Sequence, residues 1–221
     1  MSKQLISAVL LIGMPGVGKG TQGKLLGNIP GLFHLSTGEI LRSLRNDTDD
    51  GRLVTDLLQR GQLIPDELML KIWQHWLAAE IEAGRFRPAE QVLLLDGIPR
   101  NRFQCERLAE HIEVIQVIHL NPPDEEPIVQ RLRQRALIEG RSDDADESII
   151  RHRFDVYRRE TAPILNSYPP EVIREIDPMG SSAEVLQRIL TVLNPVMIAL
   201  RGSANRFDDP RLPPDDATRH S

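Results

Sequence analysis

The run GMPGVGKGT at residues 13–21 limits this chain more than any other stretch. It follows directly on the aliphatic residues 8–12 and leads directly into a stretch that reads as helix from 18 to 27. Glycines at this spacing let successive backbone N–H groups turn inward, and the following helix adds the positive end of its dipole. A buried strand, a glycine loop and a helix in that order hold phosphate, with Lys19 as a point charge on the outer oxygens. A dinucleotide-binding turn uses similar glycines, but it does not need the lysine in register with strand and helix. One departure stands out: Gly20 follows the lysine where a hydroxyl residue is usual, and Thr21 comes one place later. The usual hydroxyl ligand for magnesium is therefore missing from its usual place.

Asp96 is the candidate to replace it, because it ends the apolar run of residues 92–95 as a carboxylate able to hold magnesium directly or through water. In an Asp-Gly pair it also reads as a turn residue. Residues 7–13, 92–96, 114–120 and 172–177 all read as strands buried on both faces, and longer helical stretches separate them. The alternation predicts an α/β fold with a parallel sheet. Helices are expected over 66–83, with Asp66 as cap and Leu68, Ile72, Trp76 and Leu77 as its apolar pattern, and over 102–112 and 124–137. A further one runs from Ile149 to near Pro163, and the last opens on a Ser181–Glu184 capping box, with Asn194-Pro195 kinking or ending it.

With 221 residues, 40% of them hydrophobic, the chain can build one substantial core. A lone cysteine, Cys105, excludes an intramolecular disulfide and any zinc site with two cysteine ligands, so a reducing, cytoplasmic setting is expected. The apolar run near the start is too short for a signal peptide, and no stretch reads as a membrane span. The net charge of −5 argues against a general nucleic-acid binder, yet Arg131, Arg133, Arg135, Arg141, Arg151, Arg153, Arg158 and Arg159 crowd one region. They read either as a site for a compact anion or as a solvated, ion-paired helical face.

Four motifs in order, GMPGVGKGT at 13–21, LSTGEILR at 35–42, GQLIPDEL at 61–68 and LLLDGIPR at 93–100, resemble the adenylate kinase family. The likeness continues through Gln104, RLRQR at 131–135 and GRSDD at 140–144, and covers roughly residues 5–193. It implies a P-loop NTPase-type parallel sheet of five strands in a single domain over 1–200, with an AMP-binding insert at about 36–64, a short lid at about 137–142 and a disordered polar tail over 201–221. It also implies ATP, AMP and ADP as small-molecule partners, Mg2+ as cofactor, no structural zinc, and a monomer.

By the same resemblance, Gly16, Val17, Gly18, Lys19, Gly20, Thr21, Arg131 and Gly180 would hold ATP, with Arg131 stacked on its adenine. Thr37 and Gln104 would face the adenine of AMP, Arg42 and Arg100 would clamp its phosphate, and Leu63, Ile64 and Gly97 would line its pocket. Thr37 also reads as a helix cap. Arg100, Arg135, Arg141 and Arg153 would converge on the transferring phosphate, where charge spreads over equatorial oxygens. One extra residue after Asp144 leaves Arg151 open beside Arg153. Asp143 and Asp144 would sit at the lid hinge and orient arginines.

The sequence departs from the family pattern at Ile98, where an aromatic is usual, and at Asn101, where threonine is usual in adenylate-specific members. Asn101 keeps open a UMP/CMP kinase of the same fold, whereas Thr37 and Gln104 favour AMP. A reading from another class, a nucleotide-sensing adaptor without turnover, is disfavoured because Lys19, Asp96, Arg100 and the lid arginines are all present. A GTPase would need a base-reading Asn-Lys-x-Asp segment that residues 119–122 do not provide.

Overall fold

The computed structural model describes residues 5–44, 47–140 and 144–203. Its centre is a five-stranded sheet of β1 (Ile6–Gly13), β2 (Leu32–Ser36), β3 (Val92–Asp96), β4 (Ile112–Leu120) and β5 (Ile173–Ile176) in the order β2-β3-β1-β4-β5. Every neighbouring pair is parallel. A parallel pair needs a crossover, and the helices that supply it cover both faces. The middles of β1 and β3 are accordingly aliphatic: Ala8 to Leu10 and Val92 to Leu95 have no exposed surface.

The crossovers contain α1 (Lys19–Gly27), α2 (Thr37–Ser43), α3 (Asp49–Gln59), α4 (Asp66–Glu82), α5 (Arg102–Leu108), α6 (Glu126–Glu139) and α7 (Glu147–Val156). After α7 the chain widens into a π turn (Tyr157–Thr161) and then tightens in a 3-10 turn (Ala162–Ser167), and the last described element is α8 (Ser182–Ser203). The chain leaves β1 toward one edge of the sheet and β4 toward the other, which opens a crevice beyond the carboxyl ends of the central strands.

Several elements differ from expectation. Asp66 does not cap α4, because Pro65 holds that position; its carboxylate instead accepts from Asn101 Nδ2 and Gln104 Nε2, both at 2.8 Å. The face of α4 turned to the core carries Met69, Leu70, Trp73 and Leu77, so Leu68, Ile72 and Trp76 are only half-buried. The helix expected over 102–112 stops at Leu108, and Ile112 already belongs to β4. The Ser181–Glu184 capping box forms, with the Ser181 N–H donating to Glu184 Oε2 at 2.7 Å.

Helix α8 runs through Pro195 and on to Ser203, three residues into the segment expected to be tail. Over Ser182–Leu200 it is long and apolar enough to cross a bilayer, contrary to the expectation that no stretch is. Its inward stripe of Val185, Ile189, Leu193 and Met197 is buried in the core at i, i+4 spacing, as in the amphipathic helix of a globular domain.

Two glycines let α1 lie close on the sheet. A Cβ at Gly23 would stand 2.2 Å from His34 Nε2, and one at Gly27 would stand 2.8 Å from His34 Cβ. Alanine at an exposed helix position normally gains up to about 1 kcal/mol over glycine. Gly23→Ala should instead destabilise by about 1–3 kcal/mol, because His34 must leave its rotamer. The midpoint of urea unfolding reads that sign directly.

Candidate functional site

The phosphate loop leaves β1 at Gly13 and re-enters helix at Lys19. Gly16 adopts φ +88, and a Cβ there would stand 2.6 Å from Leu132 Cγ and 2.8 Å from Ile128 Cγ2 of α6. Only glycine supplies both the left-handed backbone and the close approach. The loop thus sits against the helix that carries Arg131 and Arg135. Lys19 folds back over the loop, its Nζ donating to Gly13 O at 2.6 Å and to Met14 O at 3.0 Å. Burial pulls its ammonium down to about 8, with Asp96 opposing the shift and Arg100, Arg153 and Arg135 adding to it.

Beyond the strand ends lies a cavity of about 810 Å³. Its walls carry Lys19, Arg42, Arg100, Arg131, Arg135 and Arg153, and its floor carries Asp96. Burial, then Arg153 and Arg42, hold the Arg100 guanidinium below its ordinary value, and Asp96 opposes them. A cleft built this way is short of negative charge and would be relieved by a polyanion.

One buried carboxylate organises two of the arginines. Asp144 has no exposed surface; its Oδ2 accepts from Arg135 Nε at 2.7 Å and its Oδ1 accepts from a terminal nitrogen of Arg153 at 2.5 Å. Arg135 comes from α6 and Arg153 from α7, so Asp144 ties both helices together while aiming two guanidinium groups at the cavity.

The structure places Arg151 and Arg153, both left open by the sequence, on different sides of α7. Arg153 lines the cavity. Arg151 faces outward, pairing with Glu147 at 2.8 Å and Glu126 at 3.0 Å. Arg133, Arg158 and Arg159 are likewise spent on exposed pairs with Glu147, Glu125 and Glu160. The arginine-rich region thus divides residue by residue between a cavity lining and a solvated, ion-paired face. Exposed pairs contribute at most about 1 kcal/mol each. Arg151→Ala should therefore leave turnover within about twofold of the unmodified chain and cost at most about 1 kcal/mol, as kcat and thermal melting would record.

A family model described as adenylate kinase matches residues 11–172. The chain is 39% identical over 197 residues to an adenylate kinase of Prochlorococcus marinus, covering 86% of this chain and 99% of that one. It is 38% identical to an adenylate kinase of Thermobifida fusca, with 84% and 97% covered, and 36% identical to one of Thermus thermophilus, with 84% and 96% covered. The chain belongs to the adenylate kinase family.

Against that membership, the positions expected to hold nucleotide divide into three groups. The cavity of this adenylate kinase family member gathers Gly16, Gly18, Lys19, Gly20, Thr21, Arg42, Leu63, Asp96, Gly97, Arg100, Arg131, Arg135 and Arg153. Val17, Thr37, Ile64, Gln104 and Gly180 lie outside its lining. Thr37 has no exposed surface, and its hydroxyl donates to Asp96 O at 3.1 Å. It does not cap α2 either, since Ser36 stands at that position. Gln104 is 2% exposed; its Oε1 accepts from Arg100 N and its Nε2 donates to Asp66, both at 2.8 Å. Gly180 packs on Glu184 within the capping box. Arg141 and Asp143 lie outside the described residues.

The cavity also includes residues given no role from the sequence, Ser36, Tyr157 and Thr161 among them. Ser36 donates to Asp96 Oδ2 at 3.3 Å, Tyr157 forms part of the wall, and Thr161 Oγ1 donates to Arg100 O at 2.9 Å. Ser36 precedes Thr37 in the Ser-Thr-Gly motif, Tyr157 follows Arg153 by four, and Thr161 opens the Thr-Ala-Pro segment near which the family likeness ends, but none of these signals assigns a role to its residue.

Proposed function

We propose that this chain catalyses the reversible, magnesium-dependent transfer of the terminal phosphoryl group of ATP to AMP, giving two ADP. The observation that carries the reading is the convergence of Lys19, Arg100, Arg135 and Arg153 on one cavity beside the phosphate loop. The loop N–H groups of residues 16–21 hold the ATP phosphates, and Lys19 exchanges its two carbonyl partners for phosphate oxygens. Arg42 and Arg100 seat the phosphate of AMP so that one of its oxygens lies in line with the phosphorus of the γ group. The new P–O bond forms as the bond from that phosphorus to the β–γ bridging oxygen breaks, and ADP leaves. Arg135, Arg141 and Arg153 neutralise the charge that builds on the equatorial oxygens.

Asp96 fits a magnesium site by its donor chemistry: it presents a carboxylate at the cavity floor, 7% exposed, and Oδ2 lies 3.6 Å from where a Gly20 Cβ would stand. Magnesium held by Asp96, directly or through water, would supply positive charge against the phosphates. Asp144, with Asp143, acts by orienting arginines and does not touch substrate. Closure of the lid near 137–142 over the acceptor insert of 36–64 would exclude water, which would otherwise consume ATP. A cytoplasmic monomer is the setting that suits this reading.

A second acceptor class stays in view for a stated reason. Thr37 and Gln104, on which AMP preference was argued, are both engaged in hydrogen bonds to the protein. The test is a magnesium-dependent coupled assay with ATP against AMP, CMP, UMP and GMP, compared as kcat/KM. Highest efficiency with AMP supports the proposal. Preference for CMP or UMP would replace the acceptor and keep the mechanism, while ATP binding without transfer to any acceptor would return the chain to the sensing class.

A further inference from the structure

Arg153 is held at its guanidinium by Asp144, but what sets the helix behind it is a different contact. Helix α7 ends at Val156, and the next residue, Tyr157, stands one turn beyond Arg153 and lines the same cavity. Its hydroxyl meets His119 Nε2 at 3.0 Å. Both side chains are buried, Tyr157 at 8% and His119 at 9% exposure. His119 stands near the end of β4, in register with Ile12 of β1, one residue before the phosphate loop begins. The bond therefore runs from the arginine helix to the strand platform under the phosphates.

The other end of the same turn is tied as well. Tyr157–Thr161 is a π turn, wound wider than an α-helix and stable only where its surroundings hold it. At its far end Thr161 Oγ1 donates to Arg100 O at 2.9 Å. The turn after α7 is thus pinned to β4 through Tyr157 and to the Arg100 loop through Thr161. On the opposite side the acceptor insert lies against the arginine itself: Gly61, at φ +67, lacks a Cβ that would stand 2.8 Å from Arg153 Cγ. Arg153 is confined between that glycine and the pinned turn.

We infer that His119 and Tyr157 form a positioning pair for phosphoryl transfer, fixing α7 so that Arg153 stands at the transferring phosphate. This rests on the proposed function of the site. Burial first and Glu175 second push the Tyr157 phenol up to about 12, so it keeps its proton at neutral pH, and burial holds His119 below its ordinary value. The pair is a neutral hydrogen bond and adds no charge to the cavity. Its effect on catalysis is geometric, and a shift of about 1 Å in a group that meets the transition state can cost on the order of a hundredfold.

A double-mutant cycle on kcat separates positioning from general stability. Tyr157→Phe should lower kcat about tenfold and move KM for ATP less than about threefold, since the phosphate loop is untouched. Arg153→Ala should lower kcat about a hundredfold. If the pair acts through Arg153, adding Tyr157→Phe to Arg153→Ala should cost at most about twofold more. His119→Leu should reproduce Tyr157→Phe, and His119→Gln, whose amide nitrogen can reach the Nε2 position, should restore kcat to within about threefold of the unmodified enzyme. Should Tyr157→Phe be too unstable to assay, the His119→Leu and His119→Gln pair read against Arg153→Ala gives the same coupling. Losses that multiply in the double variant, an unchanged kcat in Tyr157→Phe, or equal losses in His119→Leu and His119→Gln would overturn the inference. Absence of transfer by the unmodified chain would instead refute the proposed function, and it is seen before any variant is made.

Discussion

Lys19→Ala is expected to lower kcat/KM for ATP by at least about a thousandfold while the chain still folds. The lysine is the one cation placed by the phosphate loop itself, and its Nζ is already held at the loop by Gly13 O and Met14 O. Phosphate oxygens can take over those two bonds without moving the stem, so little is lost to reorganisation when nucleotide arrives. Alanine leaves two carbonyl groups facing the incoming anion and no charge to offset them. The loss should fall on both kcat and KM, because the charge is needed for binding and for transfer. A loss below about tenfold would remove Lys19 from the chemistry.

The same residue sets a pH dependence whose sign can be stated. With its pKa in the free enzyme at about 8, Lys19 loses its proton within the assayable range. ATP must then bring a proton with it, so kcat/KM for ATP should fall above pH 8, approaching about tenfold per unit. Saturating ATP should hold kcat level to higher pH, since bound phosphates favour the charged form. Stability moves the other way. Between 8 and the ordinary value of 10.5 the unfolded chain binds this proton and the folded chain does not, so the lysine's contribution to stability rises across that window. Activity and stability that fell together above pH 8 would point to global titration instead.

How much of this was legible beforehand depended on whether the determining contact is local. The strand at Val92–Asp96 was read with correct ends, because a strand covered on both faces is an unbroken aliphatic run that stops where the site begins. Strand β2 was not read from pattern, since Leu32–Ser36 is short and has His34 at its centre; only the family likeness supplied the fifth strand. In α4 apolar residues surround the helix, so sequence could not tell which stripe the core would take. Polar partners were the least legible. Thr37 and Gln104 look free in sequence, yet Thr37 bonds to Asp96, 59 positions away, and Gln104 to Asp66, 38 positions away. Arg151 and Arg153 differ by two residues, which on a helix turns them toward opposite sides; the extra residue after Asp144 hid which one faces inward.

Loss of the carboxylate at Asp144 should do the widest damage of any single change outside the loop. Its two oxygens serve two arginines, Arg135 at 27% and Arg153 at 18% side-chain exposure, while Asp144 itself is fully buried. Taking away one member of a buried ion cluster typically costs about 3–5 kcal/mol, because the surviving charges remain desolvated. Asp144→Ala should therefore lower stability by about that amount, and turnover by about a thousandfold, since both guanidinium groups lose their aim together. Asp144→Asn keeps the shape but presents an amide NH2 to one of the two arginines, so it should rescue stability in part and turnover much less. A bound polyanion supplies the missing negative charge, so ATP should raise the melting temperature of Asp144→Ala more than that of the unmodified chain. If the alanine variant turns over within about threefold of the unmodified chain, Asp144 is a structural counter-ion and the arginines find the phosphate without it.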